Sequence, residues 1–281
     1  MMNKKTLQAA ETLFNLAYAE DIGDGDITTD NFIAQGEIKT ARLIAKADGI
    51  IAGLPLVKMV FSRFDENLEW RELAADGTFV KRGDIIAEFS GAYRALLTGE
   101  RIALNFLQRM SGIATFTHKF VKAVDGTKVE ILDTRKTLPG YRLLDKYAVK
   151  TGGASNHRMG LYDMVMIKDN HIQIAGGIKS AVSAIKKKVP VSIKIEVETT
   201  TIKQVKEALE AGADTIMLDN MDNATMAKAV EIIDGKAKTE ASGNMTLDRI
   251  TAVAQTGIDY ISIGALTHSV EALDISQRII D

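Results

Sequence analysis

Hydrophobic and polar positions fall into two regimes along the chain. From about residue 129 onward, short apolar runs alternate with stretches of helical period. Val129–Leu132, Met164–Ile167, Ser192–Val197, Thr215–Leu218, Ala237–Glu240 and Tyr260–Ile263 predict strands. Between them, Arg142–Lys150, Ile172–Lys187, Thr201–Ala211, Asn223–Ile233 and Leu247–Gln255 predict helices. Such alternation builds a parallel sheet with right-handed crossovers.

Most of these strands are followed within two residues by a polar residue: Thr134, Lys168, Glu198, Asp219 and Ser242, with Gly264 after the last. A (β/α) barrel gathers its site from every strand's C-terminal end, whereas an open doubly wound sheet concentrates it at one switch point. The even spread favours the barrel. Strand period puts Lys194, Glu196 and Glu198 on one face, and Lys238, Glu240 and Ser242 on another, which predicts a polar lumen. About six or seven strands fit, fewer than a closed barrel needs. The expectation is an α/β fold whose catalytic domain, residues 126–269, is an incomplete (β/α) barrel.

Before residue 129 strands and helices segregate, which predicts an α+β sandwich domain over residues 1–125. Thr6–Glu20 reads as a helix, and another follows Pro55. Lys39–Lys46, Ile50–Gly53, Leu68–Leu73 and Ile85–Ser90 read as strands. Tyr93–Ala123 is a long apolar helical stretch with a break expected at Gly112. Residues 270–281 read as a C-terminal helix packing on the N-terminal domain.

Composition narrows the function. The chain has 281 residues, 46% of them hydrophobic, enough for a large core. A net charge of -2 disfavours non-specific nucleic-acid binding. No cysteine is present, which excludes disulfides, thiolate metal sites and thiol nucleophiles. The first residues carry no apolar signal region, and no apolar run approaches the ~20 residues of a membrane helix. A cytoplasmic protein is expected.

The cations that matter are local. Arg135, Lys136, His157, Arg158 and Lys168 sit at the edges of the predicted strands and helices. Clustered cations at element ends suit a small, multiply anionic ligand. No Walker A, GxGxxG or HExxH pattern is present. Asp76–Ile86 resembles the turn-strand pattern of biotinyl and lipoyl carrier modules, but lacks their lysine at a hairpin tip beside Met or Asp, so it reads as structural.

Thr134-Arg135-Lys136-Thr137-Leu138-Pro139-Gly140, Lys146-Tyr147-Ala148-Val149, Gly152-Gly153-Ala154-Ser155-Asn156-His157-Arg158, Ile167-Lys168-Asp169-Asn170-His171, Glu196-Val197-Glu198, Leu218-Asp219-Asn220-Met221, Glu240-Ala241-Ser242-Gly243 and Gly264-Ala265-Leu266-Thr267-His268-Ser269 resemble, in order, the motifs of the quinolinate phosphoribosyltransferase family. Glu20–Thr28 and Gly99–Asn105 extend the resemblance into the N-terminal half. The family is a group of decarboxylating pentosyltransferases of NAD biosynthesis. The resemblance implies transfer from phosphoribosyl pyrophosphate to quinolinate, giving nicotinate mononucleotide, pyrophosphate and carbon dioxide, with Mg2+.

It also implies roles. Arg135, His157, Arg158 and Lys168 would bind quinolinate, with Arg101 reaching in from a neighbouring subunit of a homodimer with shared sites. Lys136 and Lys168 would meet phosphate oxygens. Glu198 and Asp219 would hold ribose hydroxyls and magnesium, in part through water. Ser242, Gly243, Asn244, Gly264, Ala265 and Leu266 would cradle the 5′-phosphate, assisted by His268. Lys168, Glu198 and Asp219 carry the catalytic expectation, and dimers would assemble further in some members. Tyr141, Ala154 and Asn244 depart from the family pattern, which usually has Leu at the first position and Gly at the other two; none removes a proposed catalytic group.

Plainer readings stand beside these. His157-Arg158 would suit a helix end, Lys168 a guarded strand edge, and Glu198 and Asp219 ordinary helix N-caps. Glu196 reads as a buried lumen partner rather than a ligand. Rival functions are a related phosphoribosyltransferase-like protein associated with molybdate transport and a non-catalytic anion-binding module. The first predicts no binding of quinolinate; the second predicts no turnover.

Overall fold

The computed structural model describes residues 2–280. Its chain opens with α1 (Lys4–Asp21), α2 (Ile27–Phe32), β1 (Ile38–Ala45), β2 (Gly49–Ile50), α3 (Leu54–Phe64), β3 (Glu69–Glu72), β4 (Phe79–Val80), β5 (Ile85–Ala92) and α4 (Tyr93–Ala123). The alternating half follows: β6 (Glu130–Leu132), α5 (Arg142–Thr151), β7 (Val165–Ile167), α6 (Asp169–Ala175), α7 (Ile178–Lys186), β8 (Ile195–Thr199), α8 (Ile202–Glu210), β9 (Thr215–Asp219), α9 (Asn223–Ile233), β10 (Lys238–Ser242), α10 (Leu247–Ala254), β11 (Tyr260–Ser262), α11 (Ala265–His268) and β12 (Ile275–Ile280).

The chain forms two compact units. One comprises Met1–His118, Thr137–Gly153 and Leu266–Asp281; the other comprises Lys119–Lys136 and Ala154–Ala265. Thus α5, which follows the first strand of the alternating half, groups with the N-terminal residues.

In the first unit β1 alternates as its sequence does, burying Ala41, Leu43 and Ala45. It pairs antiparallel with β5 on one side and β12 on the other, giving the order β12-β1-β5-β3. Phe61 of α3 lies 4.7 Å from Phe89 of β5, ring centre to ring centre, and both are buried. Helix α3 starts at Gly53, whose φ of 111° favours glycine, and the Asp76 carboxylate accepts from Gly53 N and Leu54 N. Tyr147 also donates to Asp76. The Asp76–Ile86 segment thus caps a helix and supplies β4, which pairs with β2.

Two expectations fail here. Helix α4 runs unbroken through Gly112. Glycine is required there because a Cβ would collide with the Glu271 carbonyl oxygen; the residue permits a close approach rather than a break. In place of the C-terminal helix expected over residues 270–281, of which Asp281 lies outside the described residues, there is a strand, β12, at Ile275–Ile280. Its apolar positions are too irregular to fix a period, and the free edge of β1 decides the outcome.

In the second unit six parallel strands run in the order β6-β11-β10-β9-β8-β7. Three consecutive residues of β9 and of β10 are buried, as expected where both faces of a parallel sheet are covered. The incomplete (β/α) architecture is present, with an antiparallel sheet in the other unit. The helix expected over Ile172–Lys187 is two, because Gly176 and Gly177 both take positive φ and end α6. No helix among the described residues is long and apolar enough to cross a membrane.

Candidate active site

The polar site grows from buried supports at the strand ends. Asp133, directly after β6, is fully buried. Its carboxylate accepts from Asn156 Nδ2 at 2.7 Å and from His157 N at 2.8 Å. With the bridge between Leu132 and Ser155, this pins the Asn156-His157-Arg158 loop to the end of β6. These residues are loop, not a helix end.

His157 then points into an acidic floor. Its Nε2 lies 3.1 Å from Glu196 of β8 and 3.4 Å from Glu240 of β10, both buried. Two strands separated by β9 converge on one imidazole, so the sheet curls around the charged face. Ser262 of β11 donates to the other oxygen of Glu240. Burial works against a charge on His157, but hydrogen bonds and charge from Glu196 and Glu240 outweigh it and push its pKa up to about 10. Glu196 is raised too, by burial first and the charge of Glu240 second. Arg158 N donates to His157 Nδ1 at 2.8 Å, which a ring protonated on both nitrogens would not accept. Two buried anions around one ring set the upward direction, and the second ring proton they favour is gained at the expense of the Arg158 contact at Nδ1.

Arg158 is anchored by Nη1 donating to Met164 O at 3.0 Å. Burial lowers its pKa, and the positive charge of Arg135 lowers it further, so the two guanidinium groups share one electropositive region. Lys168, the N-cap residue of α6, donates its backbone N–H to His171 Nδ1 at 3.0 Å. Its Nζ reaches Glu198 Oε2 at 3.1 Å, joining the ends of β7 and β8. Lys136 is exposed, its backbone N–H donating to Thr134 Oγ1.

Glu198 and Asp219 do not cap helices: Thr201 and Asp222 cap α8 and α9. They end adjacent paired strands and supply hard oxygen donors. His157, Glu196 and Glu240 form the one three-ligand cluster of metal-binding residue types among the described residues, so no third such group joins Glu198 and Asp219. Asp219 Oδ2 accepts from Asn220 Nδ2 at 2.8 Å. Asn244 Nδ2 in turn donates to Asn220 Oδ1 at 3.3 Å, and Asn220 N donates to Ser242 O at 3.0 Å. Arg249 bridges both loops, donating to Gly243 O and Met221 O. Asn244 takes φ 50°, which asparagine tolerates better than most residues, in place of the family's glycine.

Gly264 and Ala265 lead from β11 into α11. Leu266 and His268 fall in the other unit, where His268 Nδ1 lies 2.7 Å from Ser269 Oγ. Arg101 is an exposed residue of α4 in that unit. Tyr141 stacks on Phe106 and lies under the Arg109 guanidinium, contacts that a leucine at this position would not make.

Sequence reasoning did not single out Asp133, Asn220 or Arg249. Asp133 was hidden by its place at the end of an apolar run. Asn220 had a weak signal in its residue type, since asparagine tolerates left-handed φ better than most residues.

A separate depression of about 420 Å³ lies at the opposite ends of β9, β10 and β11, lined by Lys128, Asp214, Lys236, Lys238 and Asp259 among others. Its charges are paired, with Asp259 lying 3.0 Å from Lys238 and 3.7 Å from Lys128, so it is not an anion site to rival the strand C-termini.

The C-terminal domain of quinolinate phosphoribosyl transferase matches residues 113–278, and the N-terminal domain of that family matches residues 26–111. A probable nicotinate-nucleotide pyrophosphorylase (carboxylating) of Bacillus subtilis is 45% identical over 267 residues, 95% of this chain and 92% of that protein. A chloroplastic nicotinate-nucleotide pyrophosphorylase (carboxylating) of Arabidopsis thaliana is 46% identical over 288 residues, 96% of this chain and 82% of that protein. Among solved structures, the nicotinate-nucleotide pyrophosphorylase of Francisella tularensis superposes with a TM-score of 0.94 at 41% identity, covering 97% of this chain and 96% of that one.

Proposed function

The chain belongs to the quinolinate phosphoribosyltransferase family, and on that premise we propose how its own residues carry out the reaction. The protein transfers the phosphoribosyl group of phosphoribosyl pyrophosphate to quinolinate, with decarboxylation, in NAD biosynthesis. The matches to both family domains carry this conclusion.

Quinolinate has two adjacent carboxylates. In our reading Arg135, His157, Arg158 and Lys168 receive them, with Arg101 contributed by a second copy of the chain. The shared electropositive region of Arg135 and Arg158 supports this, since two like charges held together are stabilised by an anion. Phosphoribosyl pyrophosphate takes the acidic half: Glu198 and Asp219 bind the ribose hydroxyls, and Lys136 the pyrophosphate. Ser242, Gly243, Asn244, Gly264, Ala265 and Leu266, with His268, form the 5′-phosphate cradle.

Glu198 and Asp219 also fit magnesium. They are two hard oxygen donors without a third partner, which suits an ion that keeps waters and shares substrate phosphates. Bound there, magnesium would neutralise charge on the departing pyrophosphate.

The pyridine nitrogen attacks ribose C1 as the bond to pyrophosphate breaks, and the electron pair leaves with pyrophosphate. Charge at C1 becomes oxocarbenium-like, and no covalent enzyme intermediate is needed. The chain's residues orient both substrates and offset the developing charge. The carboxylate next to the ring nitrogen then leaves as carbon dioxide; its electron pair stays on C2, where the now cationic nitrogen stabilises it, and a proton is taken up at that carbon. The contact between Lys168 and Glu198 spans the basic and acidic halves, so substrate binding must exchange that pair for substrate contacts.

Exposed Leu161, Tyr162 and Ile174 support a homodimer, which buries such side chains against a second copy, and dimers of dimers extend the same reading. Small charged substrates fit a cytoplasmic setting. The test is release of carbon dioxide and pyrophosphate from quinolinate, phosphoribosyl pyrophosphate and magnesium. Titration of quinolinate by calorimetry separates this reading from a molybdate-associated relative: heat of binding supports it, and none would sink it.

A further inference from the structure

Asn220 occupies an unusual position between two parts of the site. It takes φ 54°, a left-handed conformation that costs most side chains energy. Its amide has two faces in use: Nδ2 donates to Asp219, and Oδ1 accepts from Asn244. Its backbone N–H bonds Ser242 O. The side chain also fills the space beside Gly243, where a Cβ would collide with Asn220 Oδ1, and Gly243 itself takes φ 91°. Arg249 holds the same two loops from their carbonyl side. One amide therefore links the carboxylate at the end of β9 to the loop after β10.

We propose that Asn220 is a positioning residue that fixes the spacing between the Asp219 carboxylate and the Ser242–Asn244 loop. The inference rests on the function proposed above, in which Asp219 meets the ribose and that loop meets the 5′-phosphate. Both ends belong to one small sugar phosphate of limited reach. A fixed separation then selects a five-carbon sugar phosphate in the conformation that presents C1, and a loose one binds it with less orientation. Asn220 acts through Asp219 and Gly243.

The test uses the full chain with magnesium, phosphoribosyl pyrophosphate and quinolinate. Asn220→Gly keeps the left-handed backbone without strain and removes only the amide. Its Kd for phosphoribosyl pyrophosphate by calorimetry, and its KM, should rise about tenfold from loss of the two side-chain hydrogen bonds. Its Kd for quinolinate should stay within about twofold of wild type. Gly243→Ala should weaken phosphoribosyl pyrophosphate strongly in the wild-type background and less in the Asn220→Gly background, where the colliding oxygen is gone. An unchanged Kd for phosphoribosyl pyrophosphate in Asn220→Gly would overturn the proposal. So would equal penalties for Gly243→Ala in both backgrounds, or a quinolinate Kd that rises by the same factor. Wild-type protein that fails to turn over quinolinate would instead refute the underlying reading.

Discussion

His157 shows how one residue's chemistry depends on what lies beneath it. Its sequence neighbours are cations, and its side chain faces two carboxylates. The folded pKa of about 10 lies above the unfolded value of about 6.5, so its contribution to stability is fully present below pH 6.5 and is lost as pH rises through 10. Wild-type protein should therefore lose melting temperature across that window, and His157→Gln should show a flatter profile in a thermal scan taken at each pH. His157→Leu leaves two buried carboxylates facing each other and should cost about 3–5 kcal/mol in urea unfolding. A second residue-scale prediction concerns Asp219. Asp219→Asn should cut turnover and blunt the magnesium dependence while quinolinate still binds, because the basic groups lie on other strands; loss of quinolinate binding in a calorimeter would contradict that division. That Arg135, Lys168 and Asp219 fall at or just after strand ends was legible in the sequence, because each follows a short apolar run. Asp133 and Asn220 were not legible as site residues, because their role is to hold other residues, and a support is recognised only once its partners are located.

At the level of elements, strand and helix periods were readable wherever the pattern was local. Helix α9 starts and stops where its apolar spacing predicts. Helices α6 and α7 were merged because an apolar stripe continues across Gly176-Gly177, and only the positive φ values of those glycines divide it. The strand expected at Ser192–Val197 begins at Ile195, because pairing with β7 and β9 sets its register. In α4 a glycine that looked like a break is a contact point. Gly112→Ala has no room for its methyl against the Glu271 carbonyl. It should destabilise the protein by about 1–3 kcal/mol despite alanine's better helix propensity, read as a lower urea midpoint. A midpoint equal to or above wild type would show that the segment near Glu271 yields at little cost.

The whole molecule is the scale at which the sequence said least. Alternation identified the parallel sheet, but not that α5 groups with the N-terminal residues; the C-terminal segment was expected there, as a helix rather than the strand it forms. Assembly is tested by complementation. Arg101 lies outside the strand-end cluster, on α4. If it acts on a neighbour's site, Arg101→Ala and Lys168→Ala are each nearly inactive, yet co-expression restores activity. Half the dimers then carry one intact site, so activity should reach about one quarter of wild type. Co-expression of Lys168→Ala with Arg135→Ala, which both damage the same half-site, should restore nothing. No recovery in the first pair, with heterodimers present, would mean that Arg101 acts within its own chain.

The pairing of β12 with β1 carries a consequence for synthesis. Residues 40–45 leave the ribosome early, and their partners at 275–280 leave more than two hundred residues later. During that interval β1 has an uncovered edge able to pair with any extended segment of a nascent neighbour. The sheet begun first is finished last, so slow translation of the downstream half should increase aggregation, and supplying residues 270–281 as a separate peptide should suppress it in a chain truncated before residue 270.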